Sequence, residues 1–154
     1  MNATVVTRRG LLLAGVAAAL PLAAAPLAAV PGELWKSPSC GCCKDWVAHM
    51  RSAGFALTVH ETGNTAVRGR LQMPAALGSC HTALIGGYAI EGHVPARDVQ
   101  RLLRERPAAV GLAVPGMPVG APGMDGPEYG GQRDPYDVLL VLADGRTRVF
   151  SSYR

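Results

Sequence analysis

The sequence predicts a single α/β domain of about 120 residues behind an N-terminal export signal. Segments of strand and helix character follow in the order strand, helix, strand, then helix, then a β-hairpin, then helix. A C-x-x-C pair formed by Cys40 and Cys43 stands at the first strand-to-helix turn. Together these observations are typical of a thioredoxin-like βαβ–ββα domain, which keeps its active thiols at that turn. An extra β-hairpin is predicted at the C-terminal end.

Each predicted element has a local reason in the sequence. Alternating apolar residues indicate strands, a period of 3.6 indicates helices, and glycine or proline marks the ends. Gly54 ends the first helix, Met73-Pro74 interrupts the second helical stretch, and Gly86-Gly87 is a two-residue hairpin turn. The predicted elements are strands at 33–37, 55–60, 82–85 and 88–91, helices at 42–53, within 64–77 and at 95–105, and hairpin strands at 137–142 and 146–152.

Residues 107–135 differ in composition from the rest of the domain. Seven glycines and six prolines occur among these 29 residues. So long a stretch without secondary structure is usually functional or disordered. Met117 and Met124 lie in similar Gly/Pro settings within it. We therefore expect a loop that carries these two methionines, and we assign no role to its part at 125–134.

The three cysteines at the start of the first helix are expected to differ in solvent exposure. Cys43 begins an apolar stripe that continues at helical spacing through Trp46 and Met50, so we expect it to point inward. Cys42 lies on a more polar face, and Cys40 precedes the helix and is expected to be exposed. The unpaired N–H groups and positive end of a helix stabilise thiolates, which attack disulfides and bind soft metals.

Topology predicts that a remote cysteine joins the three cysteines of this turn. If the strand at 82–85 runs antiparallel to the first strand, its beginning lies beside the end of the first strand. Cys80 and His81 stand at that beginning, and His93 follows the return strand, which ends on the same side. We therefore predict that Cys80 lies next to the three cysteines. His93 is a candidate neighbour, and His81 is a weaker one.

The four cysteines permit three functions. Two structural disulfides would suit an exported interaction module, but clustered cysteines form strained bridges. A thiol–disulfide oxidoreductase would use Cys40 to attack and Cys43 to resolve, which leaves Cys42 and Cys80 without a role. A soft-metal site would use all four thiolates and bind monovalent copper or zinc. Methionine thioethers nearby would favour copper, because zinc rarely binds them.

Charge and the N-terminus restrict the partners and the compartment. The net charge is +4, and without Arg8 and Arg9 there remain 13 basic against 11 acidic residues. This excess is too small and too evenly spread to predict nucleic-acid binding. The segment TRRGLLL at 7–13 resembles a twin-arginine export signal. We expect residues 1–30 to be the signal and 31–154 to be the mature metal-binding domain.

The run from Leu11 to Val30 would also be long enough to span a bilayer as an uncleaved anchor. Pro21, Pro26 and the high alanine content favour cleavage instead. After cleavage we expect no stable membrane anchor and a location in the oxidising periplasm.

Several motifs taken together are similar to those of a known family. They are KSPSCGCC at 36–43, SCHT at 79–82, GY at 87–88, EGHVP at 91–95, GLAVPGMP at 111–118 and PGM at 122–124. In this order they resemble the CopG family of exported copper-resistance proteins, and the resemblance covers nearly all of residues 33–153.

The resemblance implies a thioredoxin-like fold and copper, as Cu(I) or Cu(II), bound in a multinuclear cluster. It also implies a role in copper redox chemistry and detoxification, and it leaves a copper oxidoreductase activity open. The partners would be copper ions and other periplasmic copper-handling proteins. The implied ligands are Cys40, Cys42, Cys43 and Cys80, joined by His93, Met117 and Met124.

Overall fold

The computed structural model describes residues 28–154, so the predicted export signal at 1–30 lies, except for its last three residues, outside the described part. The described chain forms seven strands and three α-helices. These are β1 Val30–Lys36, α1 Gly41–Ser52, β2 Phe55–His60, α2 Thr65–Arg70, β3 His81–Ile85, β4 Tyr88–Glu91, α3 Ala96–Glu105, β5 Gly111–Ala113, β6 Tyr136–Val141 and β7 Thr147–Tyr153, with short 3₁₀ turns at Ala75–Leu77 and Pro127–Tyr129.

All seven strands belong to one mixed sheet in the order β2-β1-β3-β4-β5-β6-β7. β1 pairs in parallel with β2 and antiparallel with β3, and β3 pairs antiparallel with β4. The prediction of an α/β domain with these elements up to residue 105 is therefore confirmed, with small shifts at the element ends.

The predicted loop at 107–135 is partly wrong, because it contains the strand β5. β5 pairs in parallel with β4 and antiparallel with β6. It thereby joins the predicted C-terminal hairpin, β6–β7, to the main sheet. The strand is only three residues long and begins at Gly111, where a Cβ would collide with the Ala89 carbonyl oxygen. This close approach requires glycine. Because glycine is unfavourable inside strands, the sequence pattern does not indicate a strand at this position.

Successive residues of the central strands face two apolar clusters, as the pleat requires. Ile90 and Leu112 belong to the larger cluster, which also contains buried residues of α1 and α3. Their neighbours Ala89 and Ala113 belong to a smaller cluster with Met73, which follows α2. Helices α1 and α3 therefore cover one face of the sheet, and the segment after α2 covers the other.

Within residues 28–154, the structure contains no helix that is long and apolar enough to cross a membrane.

Candidate metal centre

The three cysteines of the first turn lie where β1 meets α1. β1 ends at Lys36, a short turn follows, and Cys40 precedes the first residue of α1 with an extended backbone. Cys43 is fully buried on the same side of α1 as Trp46 and Met50, which confirms the predicted apolar stripe. Cys42 is partly exposed.

The prediction that Cys40 is exposed is wrong. Cys40 is half-buried, as Cys42 is, and it forms a disulfide with Cys43. The two residues are three apart, so the first helical turn brings their Cα atoms to 5.5 Å, which is the usual separation for a disulfide. Cys42 and Cys80 are thiols, so the four cysteines do not form two structural disulfides.

Strand pairing brings Cys80 to the same turn. In the antiparallel register of β1 and β3, Lys36 lies opposite His81, and Cys80 stands one residue before β3. Its Sγ is 4.0 Å from the Sγ of Cys42. The four cysteine sulfurs all lie within 4.8 Å of one another. The predicted proximity of Cys80 to the turn is therefore confirmed.

Two buried histidines complete the inner side of this group. His93 Nε2 is 3.1 Å from Cys80 Sγ, and His93 Nδ1 is 2.9 Å from the Pro122 carbonyl oxygen. A carbonyl only accepts, so Nδ1 carries the proton and Nε2 presents its lone pair to Cys80. His81 Nδ1 is 3.3 Å from Cys80 Sγ. His81 Nε2 is buried and has no hydrogen-bond partner among the described residues.

The loop after β5 covers the outer side of the turn. An added Cβ at Gly123 would lie 2.8 Å from the carbonyl oxygen of Cys42, so the loop backbone packs directly on the first turn of α1. Next to it, Met124 is 8% exposed, and its sulfur accepts a hydrogen bond from the Tyr129 hydroxyl at 3.4 Å. Met117 is 52% exposed and lines an open surface cleft.

The structure thus brings six of the eight predicted ligands together, while Met124 lies in the covering loop and Met117 on the surface.

Comparison with known proteins finds one family model and two solved structures that this chain resembles. A family model described as a protein of unknown function, DUF411, matches residues 77–124. A solved structure titled copper resistance protein CopG, form 1, is 44% identical, with 81% of this chain and 98% of that chain covered and a TM-score of 0.75. Form 2 is 43% identical, with coverages of 82% and 99% and the same TM-score. No curated protein matches.

The chain belongs to the CopG family of copper resistance proteins. A copper-related function follows from this membership together with a cysteine cluster that could bind metal. The family model spans Cys80, both histidines and both methionines of the predicted ligand set, but it begins after the cysteine turn.

The environment of this CopG-family site keeps its inner groups neutral in the absence of metal. Burial raises the pKa of the Cys80 thiol to about 12, and the nearby Cys42 adds to the effect. Burial also lowers the pKa of His93, and it lowers that of His81 well below its usual range, with His93 contributing. The imidazoles are therefore neutral and able to donate lone pairs, whereas Cys80 needs a cation to displace its proton.

Sequence reasoning missed the polar residues that hold Ser79, the residue before Cys80. Glu91 is fully buried and accepts hydrogen bonds from the Ser79 amide and from Arg68. A signal was present, because Glu91 is a charged residue in a short predicted strand of otherwise uncharged residues. His49, which we did not predict as a ligand, accepts the Ala96 amide N–H at 3.0 Å and so has a structural role at the start of α3.

Proposed function

We propose that this protein binds copper through Cys40, Cys42, Cys43 and Cys80 and supports copper tolerance in the periplasm. The observation that carries the proposal is the convergence of four cysteine sulfurs within 4.8 Å from two segments remote in sequence. Three thiolates on one helical turn approach a metal from one side only. Cys80 supplies sulfur from the other side.

The donor set favours copper over zinc. Thiolates are soft ligands that suit monovalent copper, and shared thiolates can bridge several ions. A structural zinc site would need one tetrahedral set of four ligands, whereas here Cys80 belongs both to the sulfur group and to a second group with His81 and His93. A shared cysteine between two groups of ligands supports a multinuclear cluster. The buried Nε2 of His81, which has no hydrogen-bond partner within residues 28–154, and the loop methionine Met124 would be further donors.

The Cys40–Cys43 pair gives the site two states. Reduction of the disulfide by an external dithiol, which is itself oxidised to a disulfide, transfers two electrons and two protons and yields two thiols. Only then are all four sulfurs available as ligands, so copper loading should require the reduced protein.

The order β2-β1-β3-β4, with β3 antiparallel to its neighbours, supports a thioredoxin-like assignment for the first four strands. The position of the C-x-x-C pair at the β1–α1 turn supports it further. A thiol–disulfide oxidoreductase is therefore the second candidate function, and the Cys40–Cys43 disulfide is the observation that favours it.

Export is part of the proposal and depends on the sequence at Arg8 and Arg9. Delivery by the twin-arginine route and cleavage near residue 30 would place the domain in the periplasm, where disulfides form. Copper ions and other periplasmic copper-handling proteins would be its partners there.

The test is metal analysis of protein purified from a copper-supplemented periplasm, followed by copper X-ray absorption. We expect more than one copper per monomer with predominantly sulfur ligands. Protein that still holds no copper after its Cys40–Cys43 disulfide is reduced and Cu(I) is added, or copper bound only by nitrogen and oxygen, would contradict the proposal. The copper-free protein separates the alternatives. An oxidoreductase would reduce a disulfide substrate without copper, and a protein stapled by two disulfides would show no thiols on titration.

A further inference from the structure

Ser79, the residue before Cys80, forms hydrogen bonds through its amide, its carbonyl and its hydroxyl group. The amide N–H of Ser79 donates to Glu91 Oε1 at 2.7 Å. Its carbonyl oxygen accepts a hydrogen bond from Arg68 Nη2 at 2.7 Å, and its hydroxyl donates to the Gly116 carbonyl oxygen at 2.5 Å. Ser79 is thereby fixed on three sides, and Cys80 follows it directly in the chain.

Glu91 and Arg68 are the buried members of this network. The Glu91 side chain is fully buried, and that of Arg68 is 14% exposed. Arg68 donates from Nε to Glu91 Oε1 at 2.9 Å, while its Nη2 reaches both that oxygen and the Ser79 carbonyl. The second carboxylate oxygen accepts from the Thr82 hydroxyl at 2.5 Å. One guanidinium thus joins the strand that carries Glu91 to the chain just before Cys80.

Stability alone does not explain this pair. A buried ion pair loses so much hydration that apolar residues of similar size often serve the fold equally well. The pair instead fixes the orientation of the groups that it bonds, because the planar guanidinium of an arginine donates hydrogen bonds only in defined directions. The opposite side is closed by Gly92, where an added Cβ would lie 2.6 Å from the Ser79 hydroxyl oxygen.

We infer that Glu91 and Arg68 are positioning residues of the metal centre. They hold the Ser79–Cys80 segment so that Cys80 Sγ stays 4.0 Å from Cys42 Sγ and 3.1 Å from His93 Nε2. The inference rests on the proposed function for its copper consequence, because a ligand that must swing into place binds metal less tightly than one already held there.

The test compares Glu91→Gln with Asp98→Asn. Glutamine keeps the size of the side chain and an acceptor for the Ser79 amide, but it removes the charge that holds Arg68. Asp98 is a matched control, since it is a buried carboxylate that accepts hydrogen bonds from Ser151 and Tyr153, outside the cysteine group. Arg68→Lys is the second variant. It keeps the charge but loses the fork.

Two readouts are measured on folded protein, with circular dichroism as the check of folding. One is the Cu(I) affinity by competition with a chromophoric chelator. We expect Glu91→Gln and Arg68→Lys to lower it about 10- to 100-fold, as for other residues that support a metal ligand. The other is the rate at which Cys80 is alkylated in reduced, copper-free protein. We expect this rate to rise severalfold. Asp98→Asn should change neither readout.

The outcomes separate this inference from the copper proposal. Wild-type affinity and a wild-type Cys80 alkylation rate in both folded variants would overturn the positioning role and leave copper binding intact. If the wild-type protein binds no copper, the proposed function fails, and the alkylation rate alone decides the positioning role. If Glu91→Gln does not fold, Arg68→Lys decides it.

Discussion

Replacing Gly123 with alanine should destabilise the copper-free protein and weaken the packing of the loop after β5 on the cysteine turn. Gly123 has a φ of +83°, and an added Cβ would lie 2.7 Å from the Trp46 backbone nitrogen. Such a contact with backbone atoms cannot be relieved by a side-chain rotation. The loop must move away from α1 instead, and it carries Pro122, the acceptor for His93 Nδ1.

The expected magnitude follows from three contributions. A non-glycine residue in the left-handed region costs about 1–2 kcal/mol. Loss of the hydrogen bond from His93 to Pro122 adds about 1 kcal/mol. Partial exposure of Met124 adds about 1 kcal/mol, a fraction of the value for a fully buried side chain. Gly123→Ala should therefore lower the free energy of unfolding by about 3–4 kcal/mol.

Gly145 is the matched control. It lies in the β6–β7 turn with a φ of +81°, and an added Cβ there meets nothing within 4 Å. Gly145→Ala should cost only the backbone contribution of about 1–2 kcal/mol. Urea denaturation of both variants, followed by circular dichroism, measures the difference. Equal losses in the two variants would refute the packing of this loop on the turn.

Three further predictions concern export, thiol reactivity and pH. Replacing Arg8 and Arg9 with lysine should trap the precursor in the cytoplasm, and fractionation that still finds it in the periplasm would contradict the twin-arginine assignment. In reduced, copper-free protein, alkylation should modify Cys40 well before the fully buried Cys43, as read by mass mapping, and equal rates would contradict the burial. Burial lowers the pKa of His49 below its ordinary value of 6.5. As the pH falls, His49 therefore binds a proton in the unfolded chain before it does so in the folded protein. The stabilising contribution of neutral His49 is present above pH 6.5 and is lost on acidification. Unfolding free energies measured between pH 7 and 5.5 should therefore fall less in His49→Gln than in the wild-type protein, and curves of equal slope would contradict this role.

Much of the fold was predictable because the signals were local. The apolar stripe through Cys43 and Trp46 fixed the phase of α1, and Gly86-Gly87 fixed the β3–β4 hairpin. Cys80 needed one more step. Its place beside the turn followed from the antiparallel pairing of β1 and β3, which no local signal contains.

The errors have physical reasons as well. β5 is too short to show a period, and its first residue is a glycine that serves a close approach to Ala89. The position of Cys40 before the helix predicts exposure, but that position does not reveal its bond to Cys43. The hydrogen bonds among Glu91, Arg68 and Ser79 depend on distances between three segments, and spacing within the sequence does not give such distances.

The most direct test of copper binding by the four cysteines is the number of copper ions held by Cys80→Ser. The substitution removes the sulfur of Cys80, a proposed ligand, from a partly exposed position and removes little buried volume, so the fold should remain. Reduced wild-type protein and the variant are loaded with Cu(I) and desalted, and copper per monomer is measured by elemental analysis, with circular dichroism to confirm folding. We expect fewer copper ions per monomer in the variant. A folded Cys80→Ser protein that holds as much copper as the wild type would contradict the shared four-cysteine site and favour the Cys40–Cys43 oxidoreductase.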